Sequence, residues 1–289
     1  MGFQPFPWQE RVARRALETD KDGNLLWPIV VITVPRQCGK SYLLSAICGY
    51  RIHQAERFGE PQVVLQTASN RSISRAIWRR GARILEKKAP DPVMVRWSNG
   101  QESIELPDDS EWRLTAAKTS AIPGLSVSMV FVDEAWSVEE EVVEAAIMPT
   151  MAMRQQTQMY LVSTAGDSKS KLMAKYRQLA IDQFDDPDRD ILLVEWSAAP
   201  NADLHDPATW KAASPFWDKK REKVVTQAYK NMEPGTFAMQ FANQWQKAQM
   251  AWLLEGAWKA CESDKPVQDL DKGDRVLACE VSVHGSPIG

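Results

Sequence analysis

The stretch Ile29-Val30-Val31-Ile32-Thr33-Val34-Pro35-Arg36-Gln37-Cys38-Gly39-Lys40-Ser41 decides the fold. Its first half is apolar and β-branched without polar alternation, the pattern of a strand buried on both faces. Residues 35–39 read as a loop, and 40–57 as a helix carrying Leu43, Leu44, Ile47, Cys48 and Ile52. A strand, a tight turn and a helix N-terminus together form an anion site, because free backbone N–H groups point out of the turn. Gly39, Lys40 and Ser41 supply the glycine, the cation and the hydroxyl of a phosphate loop. The usual spacing places another glycine where this chain has Val34.

Upstream, PFPWQ runs into a predicted helix over 9–18, followed by a turn at Asp20-Lys21-Asp22-Gly23. Downstream, 63–66 reads as a second buried strand and 72–88 as a helix with an apolar side at Ile73, Ile77 and Ile84. Residues 95–117 alternate short strand-like runs with turn clusters and predict an antiparallel meander. Met129–Val132 is a buried strand that ends on the adjacent carboxylates Asp133 and Glu134. At such a place the first carboxylate suits a magnesium shell, and the second suits orienting or deprotonating water. A helix is expected over 139–148, a strand over 158–162 closed by the hydroxyls of Ser163 and Thr164, and a helix over 169–183. Those hydroxyls stand where a sensor of the γ-phosphate would sit. The run 182–190, with five Asp in nine residues, reads as a solvated loop.

This alternation predicts an α/β fold, a P-loop NTPase with a mainly parallel central sheet flanked by helices, plus a small mainly helical subdomain. The expected organisation is an ATPase core over 1–194, a helical linker or lid over 195–264, and over 265–289 a linker with the first strand of a further domain. Six of the twelve Trp lie between Trp196 and Trp258, where the helical texture begins.

Composition removes several classes. Lys and Arg number 35 against 38 Asp and Glu, a net charge of −3, so the chain is not a uniformly basic nucleic-acid coat. Four scattered Cys and three His show neither a disulfide framework nor zinc-ligand spacing, so a reducing cytoplasmic setting is expected. The longest apolar run, 25–34, contains Pro28 and falls far short of the ~20 residues that span a bilayer. The N-terminus has no basic-then-apolar leader, and no membrane association is expected.

Together, VPRQCGKS with Arg36 inside the loop, VFVDEA, LVSTAG, the upstream PWQ and the downstream FAMQFANQW resemble the large terminase subunit of tailed double-stranded-DNA bacteriophages. The resemblance runs over about residues 5–260. It implies an ATP-hydrolysing motor that threads viral double-stranded DNA into a procapsid, with ATP and Mg2+ as cofactors. It also implies an RNase H-like nuclease after the ATPase, a portal protein and a small terminase subunit as partners, and a homo-oligomeric ring on the capsid. The setting would be the host-cell cytoplasm, outside the virion structure. Position by position, the resemblance makes Pro35, Arg36, Gln37, Cys38, Gly39, Lys40 and Ser41 the nucleotide loop, with Arg36 also coupling hydrolysis to movement. It makes Gln9 the adenine reader, Ser41 and Asp133 the metal residues, Glu134 the catalytic carboxylate, and Ser163 with Thr164 the coupling motif. A trans-acting arginine finger has Arg96, Arg113 and Arg154 as unranked candidates, with Lys118 as a weaker substitute.

Arg71, Arg75, Arg79 and Arg83 recur every four residues, followed by Lys87, with Arg80 and Lys88 beside them. This basic stripe is either a solvated face or a contact for DNA phosphates or a neighbouring subunit, on a helix expected to lie away from the phosphate loop. The alternative function is another nucleic-acid-dependent ATPase such as a helicase-like translocase. Against it, no second ATPase-like half follows residue 170. A small-molecule kinase would have to exclude water, which the Asp133-Glu134 pair favours, and a structural adaptor would not need those carboxylates. Val276–Val281 reads as the first nuclease strand, with Glu280 where the family usually carries an Asp metal ligand. No Asp or Glu follows it, so nuclease activity is expected to be absent from this chain.

Overall fold

The computed structural model describes residues 4–119, 122 and 124–245. Helix α1 (Pro7–Ala16) starts on a proline whose missing N–H costs nothing there, and it ends on Arg14 and Arg15, which oppose the helix dipole. Trp8, Val12 and Ala16, spaced by four, form its buried side. Strand β1 (Ile29–Thr33) leads through the loop into α2 (Lys40–Arg51), and the short α3 (Ala55–Phe58) precedes β2 (Val63–Ala68). Helix α4 (Arg71–Lys88) then crosses to the meander of β3 (Met94–Arg96), β4 (Ser103–Glu105) and β5 (Glu111–Ala116). Strand β6 (Met129–Asp133) is followed by a 3-10 turn (Ala135–Ser137), a π-helical turn (Val142–Ile147) and α5 (Met148–Met151). Strand β7 (Gln158–Ser163), α6 (Lys171–Asp182) and β8 (Ile191–Glu195) complete the sheet. The helices α7 (Pro207–Ala212), α8 (Lys219–Asn231) and α9 (Pro234–Phe241) follow.

The eight strands form one sheet in the order β3-β4-β5-β2-β6-β7-β1-β8. Strands β5 through β8 are parallel to their neighbours, and only the β3-β4-β5 edge is antiparallel. Alternation divides the core between two faces. Val30, Ile32 and Phe131 pack with α1, α2 and α4, whereas Val31, Val130 and Val132 pack under α5 and α6. The register aligns Thr33 with Ser163 and Asp133 with Val162, which gathers the expected site residues at the carboxyl end of adjacent strands.

Three readings are refined. The side of α4 that packs inward is led by Ser74, Trp78, Ala82 and Leu85, with the expected Ile77 partly buried against the same core, while Ile84 borders a groove. Gly81 explains the choice: a Cβ there would lie 2.5 Å from the Trp112 ring, so the helix sits on β5 through its glycine. The helix expected over 139–148 is present, with its middle, Val142–Ile147, wound as π-helix before the four-residue α5. The segment Ile191–Glu195, not anticipated as a strand, pairs in parallel with β1 as the sheet's edge. Its apolar run, Ile191–Val194, is as long as that of β6, and its burial falls away toward its carboxyl end, as fits an edge strand.

Helices α7, α8 and α9 have a core of their own, built from Trp210, Val225, Phe237 and Phe241. Each begins on an acidic side-chain cap, from Asp206, Asp218 and Glu233. The expected linker and strand beyond residue 264, including Glu280, lie outside the described residues.

Candidate nucleotide site

Between Thr33 and Lys40 the chain turns sharply. Gln37 (φ 59°) and Gly39 (φ 92°) both take left-handed backbone, and a Cβ on Gly39 would stand 2.7 Å from Gln9 Nε2. Glycine is therefore required at 39 on two counts. Cys38 is buried under the loop, while Arg36 and Gln37 are exposed. Val34, at the position of the missing glycine, is buried as a continuation of β1.

Lys40 is the first residue of α2, and its ammonium curls back to donate to the carbonyls of Val34 at 2.8 Å and Pro35 at 2.9 Å. Burial pushes it down to about 8, against the pull of the Asp133 carboxylate. Asp133, at the end of β6, is buried, and desolvation raises it to about 6 although the Glu134 N–H donates to its Oδ1 at 2.9 Å and Lys40 attracts it. The two charges thus share one dry environment. Glu134 adopts left-handed backbone (φ 49°, ψ 42°), which costs a residue with a Cβ about 1–2 kcal/mol. Among the described residues its carboxylate has no hydrogen-bond or ion-pair partner, so the strained turn presents an unengaged base. The Ser163 hydroxyl accepts from the Trp136 N–H at 3.2 Å, and Thr164 is buried next to it.

Lys40 and Ser41 open onto a cavity of about 560 Å3 that is also lined by Phe6, Tyr42, Phe216 and Arg221. The Phe6 and Phe216 rings stack 4.3 Å apart. Gln9 stands behind the loop: its Nε2 donates to the Gly39 carbonyl at 2.8 Å and its Oε1 accepts from the Phe6 N–H at 2.8 Å. It braces Gly39 and is not one of the residues lining the cavity.

Sequence reading missed the contribution of the helical segment. The Arg36 N–H donates to the Gln240 carbonyl at 2.8 Å, and Arg221 Nη1 donates to the Arg36 carbonyl at 2.7 Å. The buried Asn243 side chain accepts from the Ala165 N–H at 2.5 Å and donates to the Trp196 carbonyl and Thr33 Oγ1, both at 2.8 Å. It ties the ends of β1, β7 and β8. The segment FAMQFANQW was noticed, but nothing in its composition says which of its residues reach the loop.

The basic stripe divides. Arg71 and Arg75 form ion pairs with the buried Glu102 and belong to the fold. Arg75 also lines, with Arg79, Arg80, Arg83, Lys87 and Lys88, an open groove of about 700 Å3. Helix α4 packs on α2, not away from the loop, and the Arg80 guanidinium lies 3.9 Å over the ring of Tyr42, which lines both cavities. Of the finger candidates, Arg96 pairs with Glu105, Arg113 with Glu111 and Arg154 with Glu60, while Lys118 is exposed.

A magnesium ion bound with nucleotide needs few protein ligands, because phosphates and water complete its octahedron. One buried carboxylate, raised by desolvation, and one helix-start hydroxyl fit that demand. Among the described residues no group of three or more His, Cys, Asp or Glu could hold a metal ion by itself. No helix among the described residues is long and apolar enough to cross a membrane.

Residues 31–260 match the family model described as "Terminase large subunit, T4likevirus-type, N-terminal". The fold is similar to that of the HK97 bacteriophage large terminase, with a TM-score of 0.68 and 18% identity, over 84% of this chain and 51% of that one. It is similar to a Thermus phage large terminase ATPase domain, with a TM-score of 0.61 and 16% identity, over 85% and 95%. A thermophilic bacteriophage large terminase in complex with ADP matches with a TM-score of 0.57 and 12% identity, over 83% and 54%. The chain spans about half the length of the HK97 protein. No curated protein sequence matches it.

Proposed function

This chain belongs to the large terminase subunit family of phages, and on that premise we propose that it is the ATP-hydrolysing motor part of a genome-packaging terminase. The observation that carries the reading is the gathering, at the carboxyl end of one sheet, of Lys40, the buried Asp133 within its electrostatic reach, and the strained, unengaged Glu134.

Bound ATP with Mg2+ would supply a phosphoanhydride whose terminal bond is polarised by the metal. The chain's own residues do the rest. Lys40 exchanges its two loop carbonyls for phosphate oxygens, and the N–H groups of the loop and of the start of α2 receive the remaining negative charge. Ser41 and Asp133 would hold the magnesium. Glu134 takes a proton from, or orients, the attacking water. Arg36 rides on the exposed loop above the cavity, and Ser163 with Thr164 lies on the adjacent strand end, where loss of a phosphate would be felt. Gln9 and the Phe6–Phe216 pair support the loop and the wall beside it. ATP turnover of the chain, measured at rising protein concentration with and without procapsid, tests the proposal. Turnover that depends on Lys40 and Glu134 is expected, and turnover insensitive to both would reject it.

Double-stranded DNA is the proposed substrate, and the groove around Arg79, Arg83 and Lys87 is the proposed phosphate contact. Replacing these three with Gln is expected to weaken DNA binding and flatten its salt dependence while Arg71 and Arg75 keep Glu102 neutralised. An unchanged salt slope would remove this face from the DNA path. A portal protein, a small terminase subunit and a ring of copies remain proposed partners in the host cytoplasm.

A further inference from the structure

A phosphate loop ordinarily owes its first bend to a glycine, and here Val34 occupies that place as buried strand. The loop must therefore be held by something else. Both backbone polar groups of Arg36 are taken by the helical segment: its N–H by the Gln240 carbonyl on α9, and its carbonyl by Arg221 Nη1 on α8. Arg221 is itself fixed. It is 3% exposed, its backbone N–H donates to the Asp218 cap at 2.6 Å, and its guanidinium lies 5.7 Å from the Phe241 ring centre. Its Nε has no hydrogen-bond partner among the described residues, and the side chain lines the cavity that Lys40 and Ser41 open onto. A buried cation with no ion-pair partner among the described residues is expensive to keep for stability alone.

We propose that Arg221 is a positioning residue for the phosphate loop: by holding the Arg36 carbonyl it sets the loop for nucleotide and transmits the position of the helical segment to it. The proposal rests on the nucleotide reading of the cavity. Its consequence is reciprocal: nucleotide that orders the loop draws the helical segment onto Arg36, and a segment that moves away loosens the nucleotide by the same factor.

The test compares Arg221→Ala, Arg221→Lys and Val225→Ala in the full chain. Val225 lies in the core of the helical segment, outside the loop contact, and its truncation lowers the stability of that core while the guanidinium and its bond to Arg36 stay in place. Affinity for a fluorescent ATP analogue with magnesium and thermal unfolding without nucleotide are both measured. Arg221→Ala is expected to raise Kd about tenfold, consistent with losing one charge-assisted hydrogen bond, and Arg221→Lys to recover most of it. Val225→Ala is expected to lower Tm while leaving Kd within about twofold. Equal Kd for Arg221→Ala and the unmodified chain overturns the proposal, as does a Val225→Ala effect on Kd as large as that of Arg221→Ala. If Arg221→Ala does not fold, Arg221→Gln is judged by the same criteria. An unmodified chain that binds no nucleotide defeats the reading of the cavity first, a failure visible before any variant is compared.

Discussion

At the amino end of the central strands buried polar groups close upon one another, whereas at the carboxyl end they are left facing a cavity. Gln158 Nε2 donates to the carbonyls of Ala16 at 2.9 Å and Trp27 at 3.0 Å, and the Tyr160 hydroxyl donates to Gln158 Oε1 at 3.2 Å. Arg51 Nε donates to Gln62 Oε1 at 2.7 Å and its Nη2 to the Gln156 carbonyl at 2.8 Å. Apart from Arg51, which burial pushes down to about 10 and whose Nη1 has no hydrogen-bond partner among the described residues, this floor is neutral amides and hydroxyls serving as each other's water. The carboxyl end holds a lysine pushed down to about 8, a carboxylate pushed up to about 6 and a left-handed glutamate, each in a less comfortable state than it would have in solvent. The contrast teaches that burial of polar residues does not mark a site by itself. A site is marked by buried charge whose best partner is something the chain does not contain.

If the contrast holds, substitutions at the two ends should separate turnover, binding and stability. Glu134→Gln is expected to have the largest effect, lowering turnover about 10³-fold while nucleotide affinity stays within a few-fold, since the amide keeps shape but takes no proton. Single-turnover hydrolysis beside a binding titration checks it, and near-normal turnover would remove Glu134 as the base. Lys40→Ala is expected to weaken nucleotide binding about 100-fold, the loss of a charged contact to phosphate in a dry site, with the fold intact by circular dichroism. At the floor the pattern should invert. Arg51→Met strands the Gln62 carbonyl oxygen and should cost about 1–3 kcal/mol in urea unfolding, with nucleotide affinity unchanged.

The smallest effect has the most informative sign. Asp133 has its pKa raised from 3.8 to about 6 by burial, so its folded state prefers the neutral form. Its contribution to stability is whole below pH 4 and is lost as pH rises through about 6. In metal-free buffer Asp133→Asn should therefore match the unmodified chain at pH 4 and be more stable by about 1–2 kcal/mol at pH 8, part of the gain being offset by lost attraction to Lys40. The same variant should weaken magnesium-dependent nucleotide binding. A variant destabilised at pH 8 would mean that Asp133 supports the fold instead of waiting for a cation.

Much of this was legible in residues 29–41 and 129–134 alone. A β-branched run ending in Gly-Lys-Ser, and another ending in Asp-Glu, each specify a buried strand and the chemistry at its tip, because strand burial and helix-start geometry are local consequences of side-chain pattern. The meander at 95–117 was legible for the same reason, through its turns. The stripe on α4 was legible as a period but not as a function. Glu102, brought from β4's approach, pairs with Arg71 and Arg75, while Arg75 still lines the groove with Arg79 and Arg83. Strand β8 carries the apolar run Ile191–Val194, but its place at the edge beside β1 is supplied only by the fold. Arg36 was picked out by its place in the loop, yet its backbone partners lie on α8 and α9, 185 residues away in the case of Arg221, and Asn243 reaches Thr33 across 210. A residue's type and its neighbours determine which hydrogen bonds it can make. Which of those bonds are already made, and so which groups remain for a ligand, is decided only when distant segments pack.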